Sequence, residues 1–211
     1  MENSIYELWP TPIYHTNVRM STVWEHRIIH NDWVKMKSGN GSITKSKNLL
    51  YSTVNNEKDE FNMLTQAILE HTHQFLKKYF KIDNKFKITT SWGVMTEPGE
   101  HAGDDYHFHA NSVLSAVYYF KRIENCGGIS FRRNPYMNPV TVPTIEFGYT
   151  EETQSNSEFV NFEPNTGDLI IFPSHLYHKV LTNNSKRNRY SIACNLFPTG
   201  DVGLGERVLS I

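Results

Sequence analysis

Pro164-Asn165-Thr166-Gly167-Asp168-Leu169-Ile170-Ile171-Phe172-Pro173-Ser174-His175-Leu176-Tyr177-His178-Lys179-Val180 alternates turn residues with short apolar runs. Pro164 to Asp168 is a turn signal, because Gly supplies the backbone angles of a reversal and Asn and Asp supply its local hydrogen bonds. Residues 168–172 are too short for a helix and rich in β-branched and aromatic side chains, so they read as a strand. Residues 177–182 read as the next strand, and Thr182-Asn183-Asn184-Ser185 closes it. The same rhythm extends outward in both directions. Further strands are expected at 86–95, 112–121, 128–133, 140–147, 157–162 and 188–197. Glu97-Pro98-Gly99, Glu124-Asn125-Cys126-Gly127-Gly128 and Asn134-Pro135 separate them. So many short strands with frequent turns predict a mainly β fold, a barrel or a jelly roll.

The N-terminal part has a different pattern. Residues 5–18 include Trp9-Pro10-Thr11-Pro12, whose prolines forbid a helix interior and suit an edge strand or its approach. Residues 22–36 show helical spacing at Trp24, Ile28 and Trp33, broken by Gly39-Asn40-Gly41-Ser42. The clearest helix is expected over 57–80. Phe61, Leu64, Ile68, Phe75 and Tyr79 make its apolar stripe, His71 fills the gap, and Asn56 serves as N-cap. His71 and His73 sit two residues apart on this helix and face different ways, so they read as packing or surface histidines. These helices are expected to brace one outer face of the β core. A single domain, 1–211, follows, with N-terminal support over 1–84 and the β core over 85–200.

Charge and cysteine content narrow the function classes. There are 21 Lys+Arg against 22 Asp+Glu, a net charge of -1, so the basic excess that neutralises phosphates is missing and no nucleic-acid partner is implied. Cys126 and Cys194 make no disulfide framework, which fits a reducing, cytoplasmic compartment. No apolar run reaches the roughly 18 residues of a membrane span, and the start of the chain shows no secretory pattern.

Two histidine clusters carry the chemistry. The first is Tyr106-His107-Phe108-His109-Ala110-Asn111, the second Pro173-Ser174-His175-Leu176-Tyr177-His178. In extended chain His107, His109 and Asn111 point to one side, so one short segment can aim two or three donor atoms at one point. His178 can add a distal ligand. Imidazole and oxygen donors suit first-row metals such as iron. The alternative is a set of stacked polar residues on a wet barrel face, which two separate clusters at strand ends make less attractive. Arg189 and Ser191 share one strand face, and a guanidinium with a hydroxyl can hold a carboxylate. Taken alone, Arg189 would read as a surface arginine.

Gly167 to Val180 followed by Arg189-Tyr190-Ser191 resembles the distal half of a 2-oxoglutarate/Fe(II) oxygenase. His107-x-His109-x-Asn111-Ser112-(x)2-Ser115-Ala116-Val117-Tyr118-Tyr119-Phe120 is similar to one subfamily in particular, found in marine bacteria and their phages. Gly127-Gly128-Ile129-Ser130-Phe131 with Asn134-Pro135, and Trp9-Pro10-Thr11-Pro12 at the start, resemble it too. The resemblance covers nearly the whole chain and is strongest over 91–198. It implies a double-stranded β-helix (cupin-type jelly roll), Fe(II), 2-oxoglutarate and dioxygen, and a dioxygenase that hydroxylates an unidentified substrate. By residue it implies His178 as distal ligand and Arg189, helped by Ser191, as the clamp on the far carboxylate. The proximal pair stays open between His107/His109 and His109/Asn111, with His107, His109 and His178 preferred because neutral imidazole is the better ligand. The absence of the usual Asp/Glu is a departure from the family pattern. One of Tyr118 and Tyr119 is expected to face inward, and Tyr118 is taken as a co-substrate contact. Gly99 to Asp105 is expected at the mouth as a lid or an ordinary hairpin loop.

Two other functions compete. One is a three-His dioxygenase that needs no 2-oxoglutarate and would have no use for Arg189-x-Ser191. The other is a non-catalytic jelly-roll module, since fold does not decide function. A homodimer is only the base-rate assembly, and phage origin would place the chain in the host cytoplasm.

Overall fold

The computed structural model describes residues 10–20, 34–38, 41–45, 50, 60–101, 105–121, 123–134 and 148–211. Strand β1 spans Tyr14–Asn17, β2 Val34–Ser38, β3 Gly41–Lys45, β4 Lys85–Thr96, β5 Leu114–Tyr119 and β6 Ile129–Arg132. Then come β7 (Phe159–Phe162), β8 (Asp168–Pro173), β9 (His178–Val180) and β10 (Arg189–Thr199), with a small hairpin of β11 (Asp201–Val202) and β12 (Leu209–Ser210). Helix α1 covers Glu60–Phe75.

Seven strands form one antiparallel sheet in the order β1-β8-β5-β10-β4-β3-β2, and three form a second in the order β7-β6-β9. An isolated bridge between His107 and His178 adds a rudimentary fourth strand beyond β9. From β4 onward the chain therefore visits β4, the His107 bridge, β5, β6, β7, β8, β9 and β10. The large sheet takes the first, third, sixth and eighth of these, and the small sheet takes the others. That interleaving is a double-stranded β-helix, the jelly roll expected from the sequence.

Period-two alternation gives the large sheet two different faces. Leu114, Ala116 and Tyr118 of β5, Leu169 and Ile171 of β8, and Ile192, Cys194 and Leu196 of β10 pack on Leu64, Ile68 and Phe75 of α1. Tyr119, Ile170 and Phe172 turn the other way and meet Ile129 and Phe131 of the small sheet. Each fully buried Leu, Ile or Phe contributes roughly 1.5–3 kcal/mol, so both faces of the sheet are anchored. The site lies between the two sheets.

Two expectations are corrected. The helical stripe does not reach Tyr79, which is 50 % exposed. A π turn over Leu76–Phe80 adds a residue to the repeat, so Leu76 faces inward instead, and left-handed Lys81 ends the run. Residues 34–36 belong to strand β2, not to a helix over 22–36. Val34-Lys35-Met36-Lys37 alternates with period two and pairs with β3 in the register Ser38↔Gly41. The expected strand at 140–147, the N-cap Asn56, and Trp9, Trp24, Ile28 and Trp33 lie outside the described residues. Among the described residues no helix is long and apolar enough to cross a membrane.

Candidate metal centre

The bridge between His107 and His178 is a reciprocal main-chain pair, His107 N–H to His178 O at 3.0 Å and His178 N–H to His107 O at 2.9 Å. His109 N–H donates to Ser174 O at 2.9 Å. These bonds hold the two histidine-bearing segments side by side. One donor atom from each of His107, His109 and His178 lies within 4.8 Å of the others.

Burial and hydrogen bonding prepare His178 as a neutral ligand. Burial is the largest influence and pushes its pKa down to about 3, although the bond to Leu176 works the other way. Nδ1–H of the neutral ring donates to Leu176 O at 2.9 Å, which leaves Nε2 as a lone pair. That Nε2 faces His109 Nε2 at 3.2 Å. Two imidazoles bound at right angles to one ion at about 2.1 Å would sit about 3.0 Å apart, so the pair suits a shared cation. His107 Nδ1 lies 3.3 Å from Asp105 O, a longer version of the same orienting contact. The rings are held from outside as well. Trp92 stacks on His109 at 5.3 Å, and Phe172 meets His178 edge-on at 4.8 Å.

Asn111 stands differently from the three histidines. The extended segment ends in a turn at Ala110-Asn111, where Asn111 is exposed and left-handed at φ 55. The period-two argument that aligned it with His109 stops one residue short. His175 is exposed and outside the cluster, and Asp104 is not among the described residues.

Beside the triad is a cavity of about 60 Å3. Trp92 and Val94 of β4, Val117 and Tyr119 of β5, and Ser191 and Ala193 of β10 are among the residues that line it. Arg189 continues the β10 face of Ser191 and Ala193 and is 2 % exposed. Its Nη1 donates to Cys126 O at 2.7 Å and Leu181 O at 3.2 Å, and its Nη2 donates to Thr96 Oγ1 at 3.0 Å. Burial lowers its pKa, yet a guanidinium stays charged in proteins. Among the described residues no carboxylate pairs with it.

The tyrosine expected at the co-substrate needs correcting. Tyr118 points into the helix-side core, where its hydroxyl donates to Val18 O at 3.0 Å. Tyr119 lines the cavity. Burial pushes its pKa up to about 12 against the pull of the Arg189 charge, so it is a neutral donor there. Sequence reading also passed over Trp92, Thr96 and the Cys126 carbonyl. Only the pairings Trp92↔Ala193 and Thr96↔Arg189 reveal the first two.

A family described as "Putative 2OG-Fe(II) oxygenase" matches residues 90–195, half of the chain. Among solved structures, HygX from Streptomyces hygroscopicus, crystallised with nickel, 2-oxoglutarate and hygromycin B, superposes with TM-score 0.59 at 11% identity, over 90% of this chain and 84% of that one. A 2OG-Fe(II) oxygenase family oxidoreductase from Burkholderia pseudomallei gives TM-score 0.57 at 13% identity, over 87% and 84%. A Pseudomonas putida prolyl-4-hydroxylase gives 0.54 at 12%, over 88% and 92%. At such identities these likenesses speak for the fold. No curated protein matches the chain.

Proposed function

Because the chain belongs to this 2OG-Fe(II) oxygenase family, we propose that His107, His109 and His178 hold its iron and that Arg189, Ser191 and Tyr119 receive the far carboxylate of 2-oxoglutarate in a hydroxylase. The observation that carries the assignment is the buried guanidinium. Taking a cation out of water costs several kcal/mol unless an anion or a full set of hydrogen bonds compensates. Among the described residues only carbonyl and hydroxyl oxygens meet it. A dicarboxylate supplies the missing negative charge.

Spacing supports the same reading. Trp92, stacked on His109, and Thr96, bonded to Arg189, lie on one face of β4. Their separation of four residues is about 13 Å at 3.3 Å per residue, room for a five-carbon diacid with the arginine side chain reaching toward it. Tyr119 and Ser191, paired across β5 and β10, flank that path and can each donate a hydroxyl.

When bound, Fe(II) with 2-oxoglutarate supplies the oxidation of a C–H bond by dioxygen, coupled to decarboxylation of the 2-oxo acid to succinate and carbon dioxide. This chain's residues position and protect. The three imidazoles present neutral nitrogen donors, so the site carries one negative charge fewer than a two-His, one-carboxylate set. Trp92, Phe172, Val94 and Val180 wall the cavity with apolar surface and exclude water. Arg189 and Tyr119 orient the diacid by its far end.

Anaerobic titration of the apoprotein with Fe(II) and then 2-oxoglutarate tests the reading. A visible charge-transfer band that needs both additions is expected. It should be lost in His178→Ala and strongly weakened in Arg189→Ala. Stoichiometric iron binding without the band would favour a three-His dioxygenase that does not use 2-oxoglutarate. A wild-type chain that binds no iron would leave a non-catalytic jelly roll.

A further inference from the structure

A second set of polar side chains lies beyond the triad, and none of them is among the three imidazole donors. Ser115, on the cavity side of β5, is 2 % exposed, and Ser174, in the turn after β8, is 0 % exposed. Their hydroxyls lie 2.9 Å apart. Ser174 Oγ donates onward to Ser112 Oγ at 2.8 Å. Ser112 Oγ in turn donates to Leu114 O at 2.8 Å and Leu196 O at 3.2 Å. At the other end Ser115 Oγ donates to Asn195 Oδ1 at 2.9 Å. Buried hydroxyls cost free energy unless bonded, and a fully connected chain of this kind specifies one arrangement of its members.

Proton counting gives the chain a direction. Ser112 spends its proton on main-chain carbonyls, Ser174 spends its own on Ser112, and Ser115 spends its own on Asn195 Oδ1. Donation thus runs from Ser174 through Ser112 to the carbonyls of β5 and β10, and from Ser115 to Asn195.

Its position makes it more than filler. Ser174 bonds the 109–113 segment three times. Its carbonyl accepts from His109 N–H at 2.9 Å, its N–H donates to Val113 O at 3.0 Å, and its hydroxyl reaches Ser112. Ser174 also opens the turn that leads to His178 on β9 of the small sheet. One residue thus joins the segment carrying His109 to the segment carrying His178.

Resting on the triad reading, we infer that Ser174, with Ser112 and Ser115, is a positioning device that sets the separation of His109 and His178 and so tunes the metal site without touching the metal. Outer partners of metal ligands typically change affinity about 10–100-fold when removed.

The test uses the full chain as apoprotein, with cobalt(II) as the probe, and reads affinity and visible ligand-field bands together with apoprotein melting temperature. Wild type is expected to bind one cobalt(II), and His178→Ala to lose its bands. No cobalt binding by wild type, or unchanged binding in His178→Ala, overturns the triad reading and this inference with it. Given the wild-type signal, Ser174→Ala and Ser112→Ala are expected to weaken cobalt binding about 10–100-fold and to shift the bands. Ser112→Thr, which keeps the hydroxyl at a half-buried position, should restore both. Unchanged affinity and bands in the alanine variants, whatever their melting temperatures, overturn the inference while leaving the triad in place. Should Ser174→Ala fail to fold, the Ser112 pair decides the question alone.

Discussion

Two adjacent tyrosines show how much a single residue's orientation matters. Tyr119 lines the cavity beside the Arg189 charge, whereas Tyr118 spends its hydroxyl on Val18 O in the opposite core. A net hydrogen bond is worth about 0.5–1.5 kcal/mol. Tyr119→Phe is therefore expected to weaken 2-oxoglutarate binding about 2–12-fold, measured by the charge-transfer band, with little loss of stability. Tyr118→Phe should do the reverse, lowering stability by about 1 kcal/mol and leaving the band's midpoint unchanged. Equal effects on binding would sink the assignment. The sequence could not choose between the two because alternation gives a period but no phase. Phase is set by which neighbours bury Leu114 and Ala116, and those come from α1 and β8, far away in the chain. The histidines were legible because their spacing concerns two short segments only. Asn111 was misaligned for a local reason, since the turn at Ala110-Asn111 ends the extended run that the spacing rule assumes.

At the level of elements, β1 depends on one buried acid. It pairs with β8 in the register Asn17↔Asp168. Asp168, 3 % exposed, accepts from Asn17 Nδ2 at 2.8 Å and from the Asn165 N–H at 2.6 Å, and lies 3.0 Å from His15 Nε2. Burial by itself would raise its pKa, but the hydrogen bonds from Asn17, Asn165 and His15 outweigh it and hold the carboxyl below its usual value. A depressed carboxyl stabilises the fold above the unfolded value, about 3.9, and that contribution is lost as pH falls through the folded value. Asp168→Asn should thus lower the melting temperature at pH 7 by about 3–12 °C, taking roughly 1.5–3 kcal/mol for bonds to a charged group. The gap to wild type should narrow as the pH drops below about 4. A gap that stays constant with pH would mean the carboxylate charge contributes nothing. The Gly167-Asp168 turn and strand were plain in the sequence because turn chemistry is local. The partner strand β1 was visible only as a proline-rich approach to an edge. The helical spacing over 22–36 rests on Trp24, Ile28 and Trp33 and carries no information on 34–36, whose strand character is decided by pairing with β3.

For the whole molecule, the proposed ligands join parts that the chain alone connects weakly. The small sheet brings His178, the crossing segment brings His107 and His109, and the large sheet brings Arg189, Ser191 and Tyr119. The eight-segment interleaving was suggested by strand spacing and by family resemblance. The contribution of the His107 bridge was not, because one residue pair leaves no periodic trace. Iron and 2-oxoglutarate placed between the sheets would bind the folded chain and not the unfolded one, so each should stabilise it. At 100 times its dissociation constant a ligand adds about 2.7 kcal/mol, or about 5–11 °C for a domain of this size. The melting temperature should rise once with Fe(II) and again with 2-oxoglutarate, and a chelator should abolish both steps. Arg189→Met should keep the first step and lose the second, whereas His178→Ala should lose both. Coupling between two ligands is reciprocal, so the factor by which 2-oxoglutarate tightens iron must equal the factor by which iron tightens 2-oxoglutarate. A second step that appears without iron would place the diacid somewhere other than between the triad and Arg189.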